Sequence, residues 1–210
     1  MFRLLYNVDV KIYLIRHVAT AYNLSGTYMG RSQDVSIDIP QARYLEAKLN
    51  SNITKFSSVH YIISSPLSRC LQTSELMIRV LGGGVKTVIE NGFIETNMGA
   101  FEGKNMAQVK ETYAKEYKLW LDASPDFVFP KGESYLQVQQ RSYTALTDIV
   151  SRYSVSEDLV IITHVDIIKM LLFKILNVSV TMKKYIHVDT GSISCIETYN
   201  DCYKIKFVNM

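Results

Sequence analysis

The 210-residue chain has the composition of an ordinary globular protein, with 48% hydrophobic and 20% charged residues and only 10 glycines and 4 prolines. This composition excludes collagen-like repeats, low-complexity polymers and extensive disorder, and the length predicts a single domain with a sizeable core. The 23 basic and 20 acidic side chains nearly cancel. Charge therefore gives no reason to expect nucleic acid or an anionic membrane surface as a partner.

The cysteines and the apolar runs bear on the compartment. Cys70, Cys195 and Cys202 form no CxxC pair and leave an odd thiol, which is typical of free cysteines in a reducing compartment. The amino-terminal apolar run is shorter than a signal-peptide core, and no uncharged run approaches the roughly 18 residues of a membrane span. The sequence therefore predicts a cytoplasmic protein without a membrane partner.

Short β-branched runs alternate with amphipathic stretches along the chain, a pattern typical of a parallel sheet covered by helices on both faces. The central strands are predicted at residues 11–16, 60–64, 86–89 and 159–163. A terminal hairpin is predicted from strands at 193–198 and 203–208. Its two-residue turn would place Cys195 opposite Lys206. We therefore predict an α/β fold, a three-layer sandwich with a mostly parallel sheet.

Apolar spacing predicts helices at residues 41–49, 66–81, 105–121 and 134–153. Ser65 is the predicted cap of the second helix, with Pro66 at its first position, so that Arg69 projects from its opening turn. Ser134 is the predicted cap of the last. The span 91–130 is long for a crossover and is predicted to form a helical excursion over one end of the sheet, where active-site lids are found.

Arg16, His17 and His164 are predicted to lie at the ends of strands, where open α/β sheets bind ligands. Arg16 and His17 come at the end of the first strand, and the pair alone would be interpreted as a surface cation followed by an ordinary polar residue at a loop start. His164 follows another apolar strand and precedes a helical stretch. Arg69, in a first helical turn, would combine a guanidinium with free backbone N–H groups. That combination predicts an anion site.

These residues resemble the signatures of the histidine phosphatase superfamily, also called phosphoglycerate mutase-like. LIRHVAT is similar to the opening signature at Arg16, His17 and Thr20, and Asn23 stands where the family has a further phosphate-binding Asn. SSPLSRCLQT resembles the second signature and PKGES the fourth. FIETNMGAFEG and IITHVDII resemble the third and last signatures, and they select Glu95 and His164.

The resemblance implies a phosphoglycerate mutase-like fold and covalent catalysis, in which His17 attacks phosphorus and water later releases the phosphohistidine. Arg16, Arg69 and His164 would stabilise the phosphoryl oxygens, with further hydrogen bonds from Thr20 and Asn23. Glu95 would protonate the leaving group. From the residues alone, Glu90 and Glu102 compete with Glu95 for that role, and the resemblance decides between them.

Two valines depart from the pattern, since Val18 and Val165 stand where glycine usually follows each catalytic histidine. An alanine, Ala19, replaces an acidic residue. Valine excludes the positive φ angles that glycine permits, so we expect an extended backbone at both places and valine side chains directed away from the phosphate. The same departures motivate one alternative, a non-catalytic phosphoester-binding domain.

The favoured function is a phosphomonoester hydrolase that acts on a small phosphorylated metabolite, with neither a cofactor nor a metal. A cofactor-dependent phosphoglycerate mutase is the other alternative. The resemblance favours hydrolysis, because mutases carry an arginine-rich excursion and this chain has no arginine between Arg79 and Arg141. The lysines of the excursion could still face the cleft, at positions 104, 110, 115 and 118. Oligomeric state, a homodimer included, stays open at this point.

Overall fold

The computed structural model describes residues 10–122, 124–153, 157–199 and 202–210. Its sheet has six strands: β1 Lys11–Arg16, β2 Val59–Ser64, β3 Lys86–Ile89, β4 Asp158–Thr163, β5 Ile193–Tyr199 and β6 Cys202–Phe207. Their order is β3-β2-β4-β1-β5-β6. The first four strands in this order run parallel, and β5 and β6 are antiparallel to their neighbours. The prediction of a mostly parallel α/β sheet is confirmed.

The central strands are apolar on both faces because each face packs against a separate core. In β1, Ile12 and Leu14 belong to one hydrophobic cluster, whereas Tyr13 and Ile15 belong to the other. Since successive side chains of a strand point to opposite faces, an uninterrupted apolar run is the expected sequence of a strand covered twice. The sheet is therefore the middle of three layers.

Seven helices complete the described fold: α1 Ala21–Ser25, α2 Ile39–Ser51, α3 Ser68–Leu81, α4 Met106–Thr112, α5 Ala114–Leu121, α6 Tyr135–Tyr153 and α7 Val165–Leu176. Helices α2 and α3 supply apolar side chains to the cluster on one face of the sheet. Helices α6 and α7, together with residues of the 91–130 excursion, supply the cluster on the other face.

The start of α3 differs from the sequence prediction. The helix begins at Ser68 with Leu67 as its N-cap, and no side chain of Leu67 or Ser65 caps it. Asp34 instead accepts hydrogen bonds from the Ser68 backbone N–H and hydroxyl, both at 2.8 Å. A carboxylate from a distant loop thus satisfies the helix N-terminus. Arg69 nevertheless lies in the opening turn, as predicted.

The prediction of a single helix at 105–121 is wrong, because the chain forms α4 and α5 with a break at Tyr113. Its backbone has φ −131° and ψ 47°, outside the helical region. The Tyr113 ring packs against Phe101, with ring centroids 5.7 Å apart. The capping boxes at Asn105 and Ser134 follow the predicted starts of α4 and α6.

The terminal hairpin forms, but its predicted register is wrong at one point. Cys195 lies opposite Phe207 instead of Lys206, because an irregularity between Cys195 and Ile196 shifts the pairing by one residue. The predicted turn at 200–201 lies outside the described residues. All three cysteines are free thiols, as expected.

Phe101 is the centre of an aromatic cluster that holds the excursion on the sheet. It is fully buried and packs against several rings, including Phe129 at 5.3 Å between centroids. We expect Phe101→Ala to lower the free energy of unfolding by about 3–5 kcal/mol, because it leaves a cavity among rigid rings. Urea denaturation measures this loss. Met106→Ala, on an exposed side chain of α4, is the control and should change stability by less than about 0.5 kcal/mol.

Candidate active site

The pairing of β1 with β4 places His17 and His164 side by side. Arg16 lies opposite Thr163 in the parallel register, and the His17 N–H donates to the Thr163 carbonyl at 2.9 Å. Each histidine is the first residue after its strand. Their ring centroids are 5.2 Å apart and the rings meet edge to face. The two imidazoles therefore converge, although 146 residues separate them.

His17 is held in one tautomer. Its ring is buried, and Nδ1 lies 2.7 Å from the Val18 carbonyl oxygen. Because a carbonyl only accepts hydrogen bonds, Nδ1 carries the proton and Nε2 is left with its lone pair. Burial, with the charges of Arg69 and Arg16, lowers the pKa of His17 well below its usual value. The ring is therefore neutral at physiological pH and has a nucleophilic nitrogen.

His164 is oriented by Ser65, which precedes α3, and by Cys70 in the first turn of that helix. Its Nε2 lies 2.7 Å from the Ser65 hydroxyl oxygen and 3.4 Å from the Cys70 sulfur. The Ser65 side chain, predicted to cap a helix, thus contacts this ring instead. Burial and the nearby Arg69 lower the pKa of His164 well below its usual value. His164 lies behind the cavity wall, in contact with His17.

Two guanidiniums face the same cavity, that of Arg69 fully buried and that of Arg16 half-buried. Arg69 is fully buried and donates to the backbone carbonyls of Gly30 at 2.8 Å and Gln33 at 3.1 Å. Arg16 donates to the Val188 carbonyl at 2.6 Å. Within the described residues, Nε of each arginine is buried without a hydrogen-bond partner. The backbone carbonyls fix the orientation of both guanidinium groups without neutralising their positive charge, so both groups can bind an anion.

Glu95 is a buried carboxyl in the cavity wall, and it accepts a hydrogen bond from the Thr96 N–H at 2.9 Å. Burial raises the pKa of Glu95 to about 8, and the negative charge of Asp166 acts in the same direction. Arg69 and Arg16 oppose the shift but do not cancel it. Glu95 is therefore protonated at neutral pH and can donate a proton.

The side chains of Arg141 and Glu133 hold the backbone around Glu95, and they were not predicted from the sequence to do so. Arg141 donates to the carbonyls of Gly92 and Glu95, at 2.8 and 3.1 Å, and to the Glu133 carboxylate at 3.0 Å. Glu133 also accepts from the Asn97 N–H at 3.2 Å. The PKGES stretch thus fixes the backbone that carries Glu95. Glu133 was the available signal, since a half-buried ion pair with an arginine of α6 needs an acidic residue.

Thr20 and Asn23 contact each other, but only Asn23 lies in the cavity wall. The Asn23 N–H donates to the Thr20 hydroxyl, and the Thr20 N–H donates to the Asn23 side-chain oxygen, so the pair forms a capping box at α1. Asn23 lines the cavity whereas Thr20 does not. Thr20 therefore orients Asn23, and the Asn23 amide NH₂ is left for a ligand.

The two valines also differ. Val18 is buried in the core beneath α2 and α3, and its N–H donates to the Thr73 hydroxyl at 3.1 Å. Val165 opens α7 and lines the cavity. Val165 therefore departs from the expectation that both valines are directed away from the cavity, since it lies in the cavity wall and also packs against the core cluster on that face of the sheet. Neither valine has a positive φ.

The competing acids and the other histidines lie elsewhere. Glu102 accepts backbone N–H bonds from Arg31, Ser32 and Met98 and fixes a turn. Glu90 binds the Gly92 N–H. His60 and His187 are exposed at the surface. The cavity, of about 370 Å³, is lined by neither these residues nor the excursion lysines at 104, 110, 115 and 118.

Two further properties concern the described part of the chain alone. No three His, Cys, Asp or Glu side chains there are grouped as a metal site. Of its helices, none combines the length and apolar character needed to cross a bilayer.

The family model of the histidine phosphatase superfamily (branch 1) matches residues 12–210 of this chain. The chain belongs to this superfamily. It is 26% identical to the bifunctional protein Rv2228c of Mycobacterium tuberculosis, covering 95% of this chain and 53% of that protein. It is 25% identical to phosphoserine phosphatase 1 of Hydrogenobacter thermophilus, covering 74% and 71%.

Solved structures of this superfamily share the fold. The phosphoserine phosphatase of Entamoeba histolytica, determined with 3-phosphoglyceric acid, superposes with a TM-score of 0.81 at 20% identity, covering 96% of this chain and 97% of that one. The chain spans about half the length of the mycobacterial relatives that it matches. The match to the superfamily nevertheless takes in the whole of the cavity described above.

Proposed function

We propose that this histidine phosphatase hydrolyses phosphate monoesters of small metabolites through a phosphohistidine on His17. The observation that carries the proposal is the neutral His17 ring, fixed with Nε2 unprotonated, in one cavity with the guanidiniums of Arg16 and Arg69. A nucleophile and two unneutralised cations at one place match the needs of a transferring phosphoryl group.

In the first step, His17 Nε2 attacks phosphorus while the ester P–O bond breaks. Arg16 and Arg69 neutralise the charge on the non-bridging oxygens, with Asn23 as a further donor. His164, behind the cavity wall, positions the His17 ring through its edge-to-face contact. The departing alkoxide takes the proton of Glu95. This assignment fits the raised pKa of Glu95, since a carboxyl must be protonated at working pH to serve as general acid.

In the second step, water attacks the phosphorus of the phosphohistidine. The Glu95 carboxylate, now deprotonated, accepts the proton of that water, and the P–N bond breaks. Inorganic phosphate leaves, and both His17 and Glu95 return to their starting protonation states. The chain's own residues supply a nucleophile, an acid and charge neutralisation, so we propose a reaction without a metal. We also propose a cytoplasmic location, which the three free thiols favour.

A direct test measures turnover of p-nitrophenyl phosphate and of a panel of alkyl phosphates, each with and without EDTA. We expect release of inorganic phosphate, and undiminished rates in the chelator. The panel is repeated with 3-phosphoglycerate added, to separate water from a second substrate as acceptor. Tight phosphate binding without turnover would indicate the non-catalytic alternative, and transfer of phosphate to the added acid would indicate a mutase.

A further inference from the structure

The cavity is lined by a second set of cationic side chains that the proposed reaction does not use. Lys169 of α7 lines it, together with Lys183 and Lys184 of the 3₁₀ segment Val180–Tyr185. Sequence reasoning looked for such lysines in the excursion, where none lines the cavity. The excursion instead contributes the side chains of Met98, Trp120 and Leu121, which form a mostly apolar wall.

Lys183 is fixed in position by two aromatic rings. Its Nζ lies 4.4 Å from the Trp120 ring centroid and 4.6 Å from the Tyr135 ring centroid. It also donates to the Tyr135 hydroxyl at 3.3 Å, which accepts a second bond from Trp120 Nε1 at 2.9 Å. Lys169 Nζ donates to the Lys183 carbonyl at 3.0 Å. The ammonium group of Lys183 is thus held at a defined place with N–H donors to spare.

The charges along the cavity wall do not balance. Among the described residues, no carboxylate lies within ion-pair distance of Lys169, Lys183 or Lys184. The lining contains five cationic side chains and two carboxyl groups, Glu95 and Asp166. Glu95 is protonated at neutral pH. A phosphate dianion at His17 would therefore leave a surplus of positive charge in the cavity, which a second anion would offset.

We infer that the substrate is a phosphate monoester that carries a second anionic group, a carboxylate or another phosphate, and that Lys183 and Lys169 bind this group. The inference rests on the proposed function and adds the substrate class. A cavity of about 370 Å³ suits a substrate with a short carbon chain between its two anionic groups. Trp120 and Leu121 would cover that chain.

The experiment compares substrates that differ only in the second charge. Phosphoglycolate is paired with ethyl phosphate, and propane-1,3-diol bisphosphate with propyl phosphate, so that the two pairs distinguish carboxylate from phosphate. We expect the wild-type protein to show a lower KM for the charged member of at least one pair. In Lys183→Met, which keeps the length and apolar stem, that preference should fall about tenfold to a hundredfold, the range for a charge-assisted hydrogen bond.

Two further variants make the result specific. Lys183→Arg keeps the charge and should restore most of the preference, which a purely structural role would not predict. Lys118→Met removes an exposed lysine of α5 outside the cavity and should leave the preference unchanged. Should Lys183→Met not fold, Lys169→Met gives the same comparison.

Two results would overturn the inference: a wild-type protein without a lower KM for the charged member of either pair, or an equal rise in KM for both members of each pair in Lys183→Met. The failure of the proposed function looks different, because no ester would then be hydrolysed, p-nitrophenyl phosphate included.

Discussion

His17→Ala is expected to abolish phosphatase turnover, with a loss of roughly 10⁴-fold or more in kcat. The variant removes the nucleophile, and the remaining cations and acid can only bind the ester and polarise it. Steady-state hydrolysis of p-nitrophenyl phosphate measures the loss. Binding of inorganic phosphate should survive, because Arg16 and Arg69 are held by backbone carbonyls and not by the His17 ring.

The covalent intermediate gives a second readout for the same variant. Rapid quenching of the wild-type protein during turnover should trap an acid-labile phosphate on His17, and His17→Ala should trap none. His187→Ala, on an exposed histidine paired with Asp189, is the matched control and should behave as wild type. Turnover by His17→Ala within tenfold of wild type would show that another group attacks phosphorus.

Glu95→Gln is expected to lower kcat for alkyl phosphates by about 10²- to 10⁴-fold, the range for loss of a general acid. An aryl phosphate such as p-nitrophenyl phosphate should lose much less, because its leaving group departs without a proton. Glu90→Gln, which alters the competing acid outside the cavity, should affect neither substrate. Equal losses on alkyl and aryl esters in Glu95→Gln would argue against Glu95 as the acid.

The pH profile tests the same assignment by its sign. A general acid must be protonated, so wild-type turnover of an alkyl phosphate should fall as pH rises through the Glu95 pKa of about 8. Because the charge of Asp166 contributes to raising that pKa, Asp166→Asn should move the decline to lower pH. The pKa of His17 is lowered, so the nucleophile stays neutral and keeps its activity well into the acidic range.

Buried strands could be predicted from sequence because their pattern is local. An apolar run such as 11–16 needs cover on both faces whatever its neighbours are, and the residue that follows it must lie at the sheet edge. Arg16, His17 and His164 were identified by this reasoning, and Arg69 by its place in a helical turn. The choice of Glu95 over Glu90 and Glu102 came from family resemblance, since no local sequence pattern distinguishes a catalytic carboxyl from its neighbours in this part of the chain.

Contacts between distant segments could not be predicted from local sequence patterns, because they depend on long-range pairing. The sequence placed His17 and His164 at strand ends, but only the position of β1 beside β4 brings the rings to 5.2 Å. Asp34 caps α3, so Ser65 is left to contact His164. Lys183 was not singled out from the sequence, and only the fold places it between Trp120 and Tyr135. Local periodicity thus determined the elements and the chemical groups at their ends, whereas tertiary packing decided which groups meet.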